Sequence, residues 1–277
     1  MNTPHVDMRE VTDQEVAHYR EHGWAKLDQL ISPALAAELL GRAKQRMGPD
    51  GDASVLRAGK DLIGHPSWHD YHDIADEDDL FEAVGYGEQI GRNAQRLMER
   101  SVGIRSYANM LAVKLGKLQK QEPVEYGETY YHQDFPTLAM DRTGFIGFWI
   151  ALDEVTPDMG ALRFHSRSHL LGNLGRWFDD GKDIFDVYPG LNEQYPLAAE
   201  LHYRPGDATV HHGCTVHGAP ANTTGRPRWA FVINYFPADT RFTGALVQGD
   251  EHIHDADRYG LVVGEPFDHP AFRLVTR

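Results

Sequence analysis

From Ile104 to about Phe236 the chain is mostly short β-like runs with turn punctuation, and this stretch limits the folds open to it. "ANMLAVKLG", "GFIGFWIAL", "ALRFH", "ELHYRPGDATVHHG" and "RWAFVINYF" read as strands, rich in β-branched and aromatic residues. The punctuation is chemical: Asp-Arg-Thr-Gly at 141–144, Pro-Asp-Met-Gly at 157–160, Arg-Pro-Gly-Asp at 204–207 and Thr-Gly-Arg-Pro at 224–227. Helical signals lie before it. Thr12 and Glu15 form a T-x-x-E capping box for a short helix to His22, closed by Gly23, before a strand in "WAKLDQLI". Ser32-Pro33 opens a second helix with apolar Leu35, Leu39, Leu40 and Ala43, stopped at Gly48. Residues 49–73 read as loop, and a helical period returns from Asp79 to Glu99 despite glycines 85, 87 and 91. Helices first and many short strands after predict a mainly β protein with flanking helices. Closed or double-sheet β folds bury ligand sites between their sheets.

The chain of 277 residues can bury a large core without staples. It is read as a single domain over 1–277: largely helical N-terminal cladding over 1–103, a β core over 104–240, and a C-terminal extension over 241–277. Residues 170–198 form a lid-like insertion in that core. A net charge of −14 disfavours nucleic acid and anionic membrane as partners, since both need a basic footprint. Oligomeric state is not legible. One cysteine, Cys214, rules out an internal disulfide, and the N-terminus lacks an apolar signal region, so a cytoplasmic location is expected.

Chemistry concentrates in "YYHQDFPTL", residues 130–138. On a strand the side-chain period of two would put His132 and Asp134 on one face, a ready two-ligand clamp. Two histidines and one carboxylate on one side of a metal suit an Fe(II) that activates oxygen, because three positions stay open. The H-x-D alone is weak, and a hydrogen-bonded His–Asp pair explains it as well. Third ligands are available among His69, His72, His252 and His254, all in polar surroundings, and in the cluster His211, His212 and His217. Arg226 and Arg228 follow that cluster. A guanidinium at the mouth of a β core needs a partner, and its fork suits a carboxylate.

Four pieces in order resemble the phytanoyl-CoA dioxygenase family of Fe(II)- and 2-oxoglutarate-dependent oxygenases over residues 12 to 240: "VTDQEVAHYREHGWAKLDQLIS", "HQD", "WIALDEVTPDMGALRFHSRSH" and "YRPGDATVHHGCTVHGAPANTTGRPRWAFVINYFP". The resemblance implies a double-stranded β-helix, the cupin-like jelly roll, with a metal at its mouth. It implies His132, Asp134 and His217 as Fe(II) ligands and catalytic residues. It implies Arg228 on the distal carboxylate of 2-oxoglutarate, Trp149 beside that cosubstrate, and Asn222 in the loop beyond the last ligand. O2 would be the oxidant. An intact Asp134 argues against halogenation, since related halogenases carry a small residue there. Hydroxylation ranks first as the outcome, with ring closure, desaturation and epimerisation as alternatives. A metal-binding jelly-roll protein or a cosubstrate-free cupin-type metalloenzyme is the runner-up. Tyr130, Phe135, Trp177 and Phe178, with Phe185 and Tyr188, are expected to line a pocket for a small-molecule substrate. One departure stands out: Ser166-Arg167-Ser168-His169 occupies the family's P-G-S-H turn. His212 and Arg226 stand as alternatives to His217 and Arg228.

Overall fold

The computed structural model describes residues 6–51, 68–116, 127–175, 184–245 and 259–277. Thr12 caps the first helix, α1 (Asp13–His22), through the full capping box. Gly23 ends it in the left-handed region at φ 79°. A β-carbon there would also lie 2.4 Å from His169 Nδ1, so glycine is required twice over. Strand β1 (Trp24–Leu27) follows, then helix α2 (Pro33–Met47), capped by Ser32.

The structure corrects three expectations here. Residues 49–73 are not all loop: Trp68–His72 form strand β2. Its sequence, WHDYH, shows no apolar alternation, and it is held by pairing along its full length with β3 (Ile104–Lys114), from Trp68↔Lys114 to His72↔Met110. The helical period from 79 to 99 is two helices, α3 (Asp79–Gly85) and α4 (Glu88–Met98). The break falls at Gly87, whose extended backbone (φ −70°, ψ 152°) sits so close to the carbonyl oxygen of Ala83 that a β-carbon would be 2.3 Å from it. The third is at Asp134, whose backbone leaves the strand.

The remaining elements are β4 (Thr129–His132), β5 (Ile146–Ala151), β6 (Arg163–Phe164), the one-turn helices α5 (Ile184–Val187) and α6 (Leu191–Gln194), β7 (Ala208–His212), β8 (His217–Ala219), β9 (Arg228–Pro237) and β10 (Leu274–Thr276). Among the described residues they form two antiparallel sheets. The larger runs β1-β7-β5-β9-β3-β10, with β2 also on β3; the smaller runs β4-β8-β6. The protein is thus mainly β, a double-stranded β-helix with helical cladding.

Register decides which way each residue faces. One face of the large sheet presents Leu27, Val113, Phe148, Ile150, Val210, Phe231 and Ile233 to α2, α3 and α4, and this is the principal core. The opposite face looks toward the small sheet. Its Trp24, Trp149, Ala151 and Ala230 form an apolar patch with Phe164 of the small sheet and with Tyr203. It also carries charged and polar rows: Lys114 opposite Arg228, Asp70 opposite Ala112, Thr209 opposite Trp149, and His211 opposite Gly147, itself opposite Asn234. A third cluster joins Phe135 and Phe145 to Phe267 and Phe272 of the C-terminal segment. No helix of the described residues is long and apolar enough to cross a membrane.

Candidate metal centre

His132 is the last residue of β4, and its cross-strand partner on β8 is His217, so pairing alone brings the two imidazoles together. Their ring centroids are 4.2 Å apart. Asp134 is not on the strand. It has helical backbone (φ −74°, ψ −37°) and opens the short 3-10 turn Phe135–Thr137. The strand period therefore does not aim Asp134; the chain bends after His132 and carries the carboxylate back over it. Asp134 Oδ1 lies 3.5 Å from His132 Nε2 and 3.7 Å from His217 Nε2. These three residues each offer a ligand atom, all within 4.8 Å of one another.

Both histidines are set in the tautomer a metal requires. His132 Nδ1 is 2.6 Å from the carbonyl oxygen of Tyr130, and His217 Nδ1 is 3.0 Å from that of Thr215. A carbonyl only accepts, so each Nδ1 carries the proton and each Nε2 presents its lone pair to the carboxylate. Burial holds the His217 imidazole well below its ordinary pKa, with His211 and His132 adding to the effect, which keeps it neutral. Burial alone would raise the Asp134 carboxyl, but the imidazoles packed around it, His217, His132 and His211, hold it well below the usual carboxylate range.

The frame behind these groups is tied by hydrogen bonds. Gln133, between the two ligand candidates, is fully buried. Its amide donates to the carbonyl oxygens of Gly172 (2.9 Å) and Cys214 (2.7 Å) and accepts from Leu174 N–H (2.8 Å). One side chain thus links the turn between the two ligand candidates, the loop before His217 and the start of the insertion. Ser168 Oγ accepts from Val216 N–H at 2.8 Å, and Thr215 Oγ1 donates to the carbonyl oxygen of Gly23. Arg167 sits at φ 71°, the left-handed region a glycine would adopt freely, at a cost on the order of 1 kcal/mol. His212 faces away from the site, because the strand period turns it opposite to His211, and its Nδ1 accepts from Cys214 N–H at 3.0 Å. The Cys214 thiol is pushed up to about 12 by burial and by Asp134, so it is no nucleophile.

Further along the same inner face, Arg228 opens β9, 5% exposed. Its guanidinium lies 5.1 Å from the Trp149 ring centroid, and Nη1 donates to the carbonyl oxygen of Gly160 at 3.1 Å. Arg228 Nε is buried without a hydrogen bond, as are Tyr203 Oη and Thr209 Oγ1. Burial lowers Arg228 to about 10, with Asp70 and Tyr203 pulling upward, so it is charged at neutral pH. Burial pushes the Asp70 carboxyl up to about 7, with Arg228 pulling it down. Lys114 stands directly across from Arg228, 1% exposed, donating to the carbonyl oxygen of Pro220 at 2.9 Å. Arg226, by contrast, is exposed and pairs with Asp153 at 3.3 Å. Asn222 holds the turn between them: it donates to the carbonyl oxygens of Lys114 (3.2 Å) and Arg226 (2.7 Å) and accepts from Thr224 N–H (3.0 Å).

Of the expected substrate-lining residues, Tyr130 is half-buried on β4. Phe135 packs in the third core cluster with Leu138, Phe145 and Cys214. Phe185 packs on Tyr131 at 5.3 Å. Tyr188 belongs to a small cluster formed by the insertion and Val216. Trp177 and Phe178 lie outside the described residues, as do His252 and His254. Two residues of this face escaped sequence reading, Lys114 and Asp70, and His211, a third-ligand candidate in the sequence, stands instead as a partner of Asp134. Their signal is cross-strand register, which the sequence does not print; only the polar interruption of "ANMLAVKLG" by Lys114 was open to view.

The donor set fits an octahedral divalent iron with open positions. The buried Arg228 with its unpaired Nε, beside unpaired hydroxyls, fits the carboxylate end of a dicarboxylic acid. The comparisons with known proteins point the same way. The family model for phytanoyl-CoA dioxygenase (PhyH) matches residues 19–230. The rice (Oryza sativa subsp. japonica) protein phytanoyl-CoA dioxygenase 1 is 24% identical over 184 residues, 66% of this chain and 61% of its own length. The Arabidopsis thaliana phytanoyl-CoA dioxygenase is 24% identical over 189 residues, 68% and 62%. The chain therefore matches less than two thirds of the length of either relative. Among solved structures, SnoN, an epimerase of nogalamycin biosynthesis determined with Fe3+ and alpha ketoglutarate, superimposes at TM-score 0.74 with 23% identity, over 95% of this chain and 98% of that one. SnoK, a non-heme alpha ketoglutarate dependent carbocyclase of the same biosynthesis, gives 0.73 with 25% identity, over 96% and 97%. EctD from S. alaskensis, determined with 2-oxoglutarate and 5-hydroxyectoine, gives 0.66 with 19% identity, over 84% and 78%.

Proposed function

Since this chain belongs to the phytanoyl-CoA dioxygenase family, we propose that it is a non-haem Fe(II)- and 2-oxoglutarate-dependent oxygenase. It oxidises an unactivated C–H bond of a small metabolite or natural-product intermediate, as one catalytic domain. The observation that carries this reading is the tautomer-fixed pair His132 and His217 closing on Asp134 Oδ1, with a buried arginine on the same inner face.

His132, Asp134 and His217 would hold Fe(II). Bound there with the oxo-acid end of 2-oxoglutarate, Fe(II) supplies the activation of O2. The chain's own residues bind, orient and exclude water. Arg228 would grip the distal carboxylate of 2-oxoglutarate as a buried fork, and burial makes that contact strong because it is not screened. The Trp149 ring walls one side of it. Lys114 adds a second buried cation in the row of Arg228, which favours a dianionic cosubstrate over a neutral one. Asn222 fixes the turn that delivers Arg228 to the start of its strand. The aromatic groups near the mouth, Tyr130, Tyr131 and Phe185, favour a mid-sized, partly apolar substrate. Hydroxylation is the first outcome to seek. The solved relatives include an epimerase and a carbocyclase, so ring closure and epimerisation belong in the same screen. A cytoplasmic location fits the single, buried, unpaired Cys214.

The direct test is stoichiometric. Protein loaded anaerobically with Fe(II), then given O2 and 2-oxoglutarate, is expected to release succinate slowly, and faster when the right substrate is added. Absence of succinate from iron-loaded, folded protein across a broad substrate screen would remove 2-oxoglutarate from the reading.

A further inference from the structure

A third histidine enters the site without being placed as a ligand. His211 lies on β7, 4% exposed, facing the interior opposite Gly147. Its Nε2 is 3.0 Å from Asp134 Oδ2, the oxygen turned away from the other two imidazoles. Its Nδ1 is buried and makes no hydrogen bond. The carboxylate only accepts, so the ring proton that makes this contact sits on Nε2. That is the reverse of His132 and His217, whose protons sit on Nδ1 facing backbone carbonyls. A protonated Nε2 cannot ligate. The two oxygens of Asp134 are thereby divided: Oδ1 toward His132 and His217, Oδ2 toward His211.

Space for this contact is made by Gly147. A β-carbon there would lie 2.9 Å from His211 Cε1, 3.0 Å from its Nε2 and 3.0 Å from Asn234 Nδ2. Any larger residue would push the His211 ring off its line to Asp134. The glycine interrupts an otherwise bulky strand, "IGFWIA", at the one position that faces His211.

We propose that His211 is a positioning residue that holds Asp134 to one-oxygen binding of the metal, keeping its second oxygen from taking a position that cosubstrate or O2 must use. The inference rests on the oxygenase reading above, and its test separates the two. Co(II) can replace Fe(II) as a probe whose visible absorption reports coordination number. In His211→Leu, Co(II) affinity is expected to fall by about 10- to 100-fold, the range for loss of a group that orients a metal ligand. The absorption should weaken as the freed carboxylate takes up a second position. His211→Gln, whose amide can donate to the same oxygen, is expected to recover most of both. Gly147→Ala displaces the ring without changing it and should resemble His211→Leu. Circular dichroism melting establishes that each variant is folded. Folded His211→Leu with wild-type affinity and spectrum would overturn the proposal. If that variant does not fold, Gly147→Ala with wild-type Co(II) binding overturns it. A wild-type protein that takes up neither Co(II) nor Fe(II) would overturn the oxygenase reading and this inference together, whereas normal wild-type binding with indifferent variants overturns this inference alone.

Discussion

Asp134→Ala is expected to abolish turnover and to weaken Fe(II) binding by ~100-fold or more, since loss of a ligand exceeds the 10- to 100-fold effect of losing its supporting partner. The fold should survive. Asp134 is not in a core cluster; its carboxylate is 23% exposed and its ion-pair partners among the described residues are histidines. Removing it strands the Nε2–H of His211, which costs about 1–3 kcal/mol, but it also removes a charge held in a partly desolvated place. The net change in melting temperature should be a few degrees. Isothermal titration with Fe(II) under anaerobic conditions and a melting curve read both effects. Retained iron and retained turnover would take Asp134 out of the ligand set and return H-x-D to an ordinary hydrogen-bonded pair.

The second large effect lies at the other end of the inner face. Arg228→Ala is expected to raise the KM for 2-oxoglutarate by about 10- to 100-fold, the loss of a charge-assisted fork worth roughly 1.5–3 kcal/mol. Arg228→Lys keeps the charge but not the fork, and should fall between. Arg226→Ala is the control: that side chain is exposed and paired with Asp153, so the requirement should not move. The same contact has a pH signature. Desolvation pushes the half-buried Asp70 carboxyl up to about 7, and Arg228 is the cation that draws it down. Below that pH Asp70 is neutral and Arg228 is available to the cosubstrate. Above it Asp70 is an anion and competes for Arg228. The KM for 2-oxoglutarate should therefore climb as pH rises through about 7, and Asp70→Asn should flatten the climb. Lys114 stands across from Arg228 on the same face, and a Lys114→Met comparison separates its share. A cosubstrate requirement indifferent to Arg228 would leave that residue a structural cation.

Much of the fold was legible because its signals are local. The Thr12–Glu15 box, Gly23, Ser32-Pro33 and the alternating runs of β3, β5, β7 and β9 each act through a few neighbouring residues, and each stands where the sequence puts it. Strand β2 was not legible, since WHDYH is held by β3 and by nothing in its own pattern. The site divides in the same way. His132 and Asp134 announce themselves by spacing and Arg228 by its place before an apolar run, but the route by which Asp134 reaches His132 is a bend, not a strand face. His217 could be ranked above His212 only by resemblance; in the structure the strand period and the Cys214 N–H bond turn His212 away. Lys114, Asp70 and His211 depend on which strand lies beside which, and a single sequence does not carry that pairing.

A single inner face that holds both iron and 2-oxoglutarate has a direct spectroscopic consequence. The measurement is anaerobic: Fe(II) is added to the apoprotein, then 2-oxoglutarate, and the visible spectrum is followed. The expected result is a weak charge-transfer band that needs both additions and is lost in Asp134→Ala. Iron bound by an independent assay, with no band at any 2-oxoglutarate concentration, would contradict the account in favour of a metal-binding jelly-roll protein or a cosubstrate-free metalloenzyme.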